Sequence, residues 1–130
     1  MKAGYTMDRF NFQYFVMMNS EKQKKVSNET TRREITASIC SHYGVTVLDV
    51  MSKSRKKELV MARQLAIYFI RKHTSYSLKQ VGMYFGGRDH STVCHAIDCI
   101  SGLPVHDEQF KDREYFAKKF SIYKTQTTKQ

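Results

Sequence analysis

Two stretches of helical pattern meet at a pair of glycines, and that junction constrains the fold more than anything else in the chain. Ser77 stands where an N-cap is wanted, and Leu78 to Phe85 follows with Leu78, Val81, Met83 and Phe85 available to a core. Gly86-Gly87 supplies the positive-φ backbone of a tight turn. Asp89 is placed as a second N-cap, and the helix after it carries Val93, Ala96, Ile97 and Ile100 before Gly102 and Pro104 end it. Two short helices joined by a glycine-bearing turn predict a helix-turn-helix, whose second helix would enter a DNA major groove with its first residues nearest the bases. Those residues are Arg88, Asp89, His90, Ser91 and Thr92. All five can hydrogen-bond and none is a useful core residue. The Asp89 carboxylate can accept from an exposed cytosine amine, while Arg88, the hydroxyls and the free N–H groups of the first turn suit phosphates. The same spacing also fits an ordinary helix–helix turn with a capped start.

The rest of the chain is helical in pattern too. There is one proline and the only β-branched cluster, Val45-Thr46-Val47, is short. Thr30 or Thr31 is expected to cap a helix, with Glu34 at capping-box spacing from Thr31 and Ile35, Ile39 and Tyr43 on one face up to Gly44. Val47, Leu48 and Met51 suggest a short turn of helix. A long helix is expected over roughly Glu58 to Lys72, burying Leu59, Ala62, Ala66, Ile67 and Ile70, with Leu65 and Phe69 flanking. The expected organisation is a helical extension and linker over 1–30, the helix-turn-helix domain over 31–102, and a C-terminal helix with a frayed tail over 103–130.

Charge narrows the partner. Twenty-two Lys and Arg against 12 Asp and Glu give +10 and a pI near 9.6, which favours a polyanion. Between Lys53 and Lys72 lie seven cations, and Glu58 is the one acid among them. The excess is therefore a patch in one loop and one helix. Three scattered cysteines, Cys40, Cys94 and Cys99, fit a reducing compartment, and no apolar run approaches the ~20 residues that span a bilayer. A cytoplasmic, nucleoid-associated protein is expected, with no membrane partner and no small-molecule substrate.

Residues 85 to 96, Phe-Gly-Gly-Arg-Asp-His-Ser-Thr-Val-Cys-His-Ala, closely resemble the signature of the C-terminal DNA-binding domain of the bacterial chromosomal replication initiator family, DnaA. The resemblance reaches back through Ser-Leu-Lys-Gln-Val-Gly at 77 to 82, Ala-Arg-Gln-Leu-Ala at 62 to 66 and the basic loop Ser-Lys-Ser-Arg-Lys-Lys at 52 to 57, and more loosely from Ile35 to Met51. It implies an all-α, Trp repressor-like fold that reads a short asymmetric box in double-stranded DNA. It also implies that Arg55 enters the minor groove and that Asp89, His90 and Ser91 touch bases in the major groove. Phosphates would be held by Lys53, Lys57, Arg63, Gln64, Arg71, Thr74 and Thr92. Lys79 stands where the family usually has a proline lying against the DNA, so it joins the base-reading candidates. Ser54 stands where a second arginine is common. Ser91 replaces a frequent threonine, losing a methyl that could meet a thymine methyl. The family's ATPase module would need a Gly-x-x-x-x-Gly-Lys-Ser/Thr loop, which this sequence lacks. The expectation is a DNA-binding domain working on its own, not an enzyme, and unable to melt an origin by an ATP-driven route. The process expected is initiation of replication, its regulation, or the life of a mobile element.

Rival chemistries are weaker. His90 and Cys94 share a helix face with His95 and Cys99 nearby, but there is no second pair at ligand spacing, so no metal or other cofactor is expected. Asp89, His90 and Ser91 have the residue types of a hydrolytic triad, yet adjacent residues cannot point at one another as that mechanism needs. Most aromatics fall at helical core spacing, which disfavours stacking on single strands. A runner-up reading keeps the fold as a protein-docking module, using Phe10–Met18 or Asp107–Tyr123, where Phe110, Phe116, Phe120 and Tyr123 roughly mark one face.

Overall fold

In the computed structural model, residues 27–123 and 125 are described; the expected aromatic helix Phe10–Met18 and the frayed tail lie outside them. Among the described residues there are six α-helices, one 3-10 turn and no strand. None of these helices is long and apolar enough to cross a membrane.

The first helix, α1 (Asn28–Tyr43), begins earlier than expected. Its cap is Ser27, whose Oγ accepts from the Thr30 N–H at 3.1 Å. Thr31 is 3% exposed and sits inside the helix, and the Glu34 carboxylate accepts from the Tyr123 hydroxyl instead of closing a capping box. Gly44 ends α1 in the left-handed region at φ 68. A five-residue helix, α2 (Val47–Met51), is capped by Thr46.

Everything packs around α3 (Lys57–His73). Leu65, Phe69 and Ile70 are 0% exposed, and Leu59, Ala62, Ala66 and Ile67 are buried with them. Leu65 and Phe69 are thus as deep as the stripe they were expected to flank. A helix apolar over so much of its circumference must be covered on most sides, and α1, α2 and the helices described next all touch it.

The helix-turn-helix is α4 (Leu78–Tyr84) and α5 (His90–Ser101). A full capping box starts α4: Ser77 Oγ accepts from the Gln80 N–H at 3.1 Å, and Gln80 Oε1 accepts from the Ser77 N–H at 2.8 Å. Gly86 and Gly87 turn the chain at φ 81 and 78. Val81 and Phe85 are four apart and point inward. Met83, two residues on from Val81, lies about 200° round the helix and is 66% exposed, not in the core.

The last helix, α6 (Glu108–Lys119), is capped by Asp107 and runs into the 3-10 turn Phe120–Ile122. Its apolar face is turned in. Phe116, Phe120 and Tyr123 belong to one core with α1–α5, and the Phe120 ring meets Phe69 edge-on at 5.2 Å and stacks on Phe116 at 5.3 Å. Phe110 is half-buried under the Arg113 guanidinium, 4.6 Å away. Asp107–Tyr123, which the sequence offers as a docking face only in the alternative reading, covers the core at Phe116, Phe120 and Tyr123.

Candidate nucleic-acid interface

The basic loop between α2 and α3 has few backbone bonds of its own, so its carbonyls need donors. Two arginines supply them. From α3, Arg63 donates Nε to the Val50 carbonyl at 2.7 Å and Nη2 to those of Ser52 and Ser54, each at 3.1 Å. From the turn before α5, Arg88 donates Nη2 to Ser52 O at 2.8 Å and Nη1 to Met51 O at 3.5 Å and to Phe85 O. The Ser52 carbonyl therefore accepts from both guanidiniums. Burial holds the Arg63 pKa below the usual arginine value, with the Arg88 charge adding to the effect, and burial lowers that of Arg88 as well. Both stay charged at neutral pH, because an arginine does not deprotonate there.

This joint fixes the exposed Arg55 and Lys53 relative to the start of α5. A cleft of about 440 Å³ is lined by Lys53, Arg55, Arg63, Arg88, Thr92 and His95, together with Val60. On the other side of Arg88 a cleft of about 650 Å³ is lined by Leu78, Lys79, Met83, Asp89 and His90, among others. The two clefts bring most of the candidates together along one stretch of surface.

The cap of α5 is tightly bonded. Asp89 Oδ1 accepts from the Thr92 N–H at 3.1 Å, the Ser91 hydroxyl at 2.8 Å and the Thr92 hydroxyl at 3.2 Å. The Thr92 N–H and then the two hydroxyls hold the exposed carboxyl below the usual aspartate range. Ser91 and Thr92 therefore point their hydroxyl protons at Asp89 and present oxygen lone pairs outward.

Several candidates are buried or already bonded within the protein. Thr74 is 1% exposed and donates its hydroxyl to the Ile70 carbonyl at 2.6 Å, so it is a buried helix-end residue and cannot present itself to a phosphate. Arg63, 7% exposed, and Arg88 are likewise committed to loop carbonyls. Lys57 lies 3.2 Å from Glu108 in an exposed ion pair with α6. Arg71 donates to Tyr76 O at 2.8 Å and lines the second cleft, and Gln64 is half-buried on α3.

His95 and Met83 were not among the expected site residues. For His95 the signal was periodicity: Val93, Ala96 and Ile100 face in, which leaves Ser91, Thr92 and His95 on the outer face of α5. His95 Nε2 is 3.4 Å from Cys99 Sγ; Cys94 and Cys99 are half-buried and Cys40 is buried, its thiol pKa raised by burial. Among the described residues no group of three or more His, Cys, Asp or Glu side chains is placed to hold a metal ion.

Comparison with known proteins decides what this helix-turn-helix is. The family described as bacterial DnaA protein helix-turn-helix matches residues 33–100. The chain belongs to that DnaA family. Curated relatives agree. The chromosomal replication initiator protein DnaA of Chlorobaculum tepidum is 38% identical over 97 residues, 74% of this chain and 20% of the relative. That of Latilactobacillus sakei is 38% identical over 86 residues, 66% of this chain and 19% of the relative. That of Streptococcus equi subsp. zooepidemicus is 42% identical over 78 residues, 60% of this chain and 17% of the relative. The chain thus spans about a fifth of the length of these DnaA proteins. The joint, both clefts and the α5 cap lie inside the DnaA match, whereas α6 lies beyond it.

Proposed function

We propose that this chain binds double-stranded DNA at a specific site, in initiation of replication or its regulation. The observation that carries the reading is the Arg63–Ser52–Arg88 joint, which sets a cationic loop at a fixed distance from the first turn of α5 in a fold of the DnaA helix-turn-helix family. A duplex offers a groove to the start of a recognition helix and, next to it, phosphates and a second groove to a basic loop. In this reading His90, Ser91 and Asp89 meet base edges in the major groove and Arg55 probes the minor groove. Lys53 and His95 face the phosphates between them, while Thr92 keeps its hydroxyl and N–H on Asp89 and holds the start of α5 in shape. Lys79 reaches the groove from the α4 side. Arg63 and Arg88 act by positioning, through the loop they grip. The relatives' name, chromosomal replication initiator, supports the process assigned. No catalytic step is proposed, since the match is to the DNA-binding fold and not to the family's ATPase module.

The division of roles has a direct test by fluorescence anisotropy with an initiator-type box and a scrambled duplex. Lys53→Ala should weaken both DNAs alike. His90→Ala should weaken the box preferentially, by about 1–3 kcal/mol. Equal losses on both DNAs for both variants would contradict the assignment.

A further inference from the structure

The second cleft holds an apolar feature that the contacts above do not use. Met83 is 66% exposed on α4, one helical turn beyond Lys79, and shares the cleft with Leu78, Lys79, Asp89 and His90. Of the large apolar side chains exposed among the described residues, Val47, Leu48, Met83, Val105 and Tyr115, only Met83 lines the cleft that holds Lys79, Asp89 and His90. The cations Lys79, Arg71 and Arg88 around the same cleft suit a polyanion as that cover. Of the four bases, thymine alone presents an apolar group in the major groove, its C5 methyl.

We infer that Met83, walled by Leu78 and the Lys79 stem, is a specificity-determining residue that packs on a thymine methyl beside the base read by His90. The inference rests on the duplex-binding reading above and adds a base to it. It gives the chain a thymine contact from α4 that is independent of the methyl missing at Ser91. Met83 is long and unbranched, so it can follow the methyl without moving the backbone.

The test replaces each thymine of the box in turn by deoxyuridine, which removes only the methyl, and measures affinity for the unaltered chain, Met83→Ala and Met83→Gln. One position should cost the unaltered chain about fourfold, the equivalent of one buried methyl. That loss should vanish in both variants. Because Met83 is exposed, both variants should melt where the unaltered chain does. A uracil penalty that is the same in all three proteins, or absent everywhere while the box is still preferred, overturns the role of Met83 and leaves the duplex-binding reading standing. If the box is bound no better than scrambled DNA, that reading falls and Met83's role falls with it.

Discussion

Arg55 and Arg63 lie on either side of Lys57 in the chain and do opposite work. Arg63 is buried and donates to the Val50 carbonyl of α2 and to two loop carbonyls, whereas Arg55 is exposed on the loop that those bonds hold. Arg63→Ala should cost about 2–3 kcal/mol of stability, because it leaves carbonyls without donors, and DNA affinity should fall with the loop's order. Arg55→Ala should leave thermal unfolding unchanged and reduce affinity alone; calorimetry beside anisotropy separates the two. Asp89 adds a pH dependence. Its carboxyl pKa is depressed in the fold, so its contribution is present above the usual aspartate range and is lost as pH falls through the lowered value. The difference in melting temperature between the unaltered chain and Asp89→Ala should therefore close in acid. A difference that persists well below the usual aspartate range would mean that the cap does not act through its charge.

At the scale of elements, the α4–α5 turn is the least forgiving part. A Cβ on Gly82 would lie 2.0 Å from the Arg88 carbonyl oxygen, a backbone atom that cannot step aside, and that carbonyl's residue also donates its N–H to Gly82 O at 2.9 Å. Gly82→Ala should destabilise by about 1–3 kcal/mol, read as a drop in melting temperature. The turn was legible in the sequence because Gly86-Gly87 and a cap at Asp89 admit few alternatives. The start of α1 was not, because Ser27, Thr30 and Thr31 are all acceptable caps and only packing, which buries Thr31, selects Ser27. Met83 was misplaced for a related reason: in a helix of two turns, neighbouring apolar residues define no unambiguous face. Site residue types could be read from the signature, but which arginines turn inward depends on where the loop leaves carbonyls unpaired, and the sequence does not display that.

Across the whole molecule, α6 is part of the domain although the family match ends at residue 100. Besides the Phe69–Phe116–Phe120 cluster, Tyr43 donates its hydroxyl to Asp112 at 2.5 Å and Tyr123 donates to Glu34, tying the middle and the C-terminal end of α1 to the C-terminal segment. Burial first, and then these carboxylates, push both phenol pKa values well above the usual range. The ties are thus complete below the usual phenol range and are lost only as pH rises beyond it. Phe116→Ala should cost about 3–5 kcal/mol, and removing the chain after residue 102 should expose the same core and prevent cooperative unfolding. A truncated chain that melts like the whole would refute this role for α6.

In the proposed binding mode a fixed basic loop and the start of α5 together read one DNA site. Fluorescence anisotropy at ~150 mM salt, with an initiator-type box and a scrambled duplex, tests it most directly. The box should be bound at least ~10³-fold tighter. The log–log salt slope should lie between about −4 and −5, as expected when about five phosphates are neutralised. Equal, salt-sensitive binding to both duplexes would contradict it and leave only a basic surface that holds DNA without reading it.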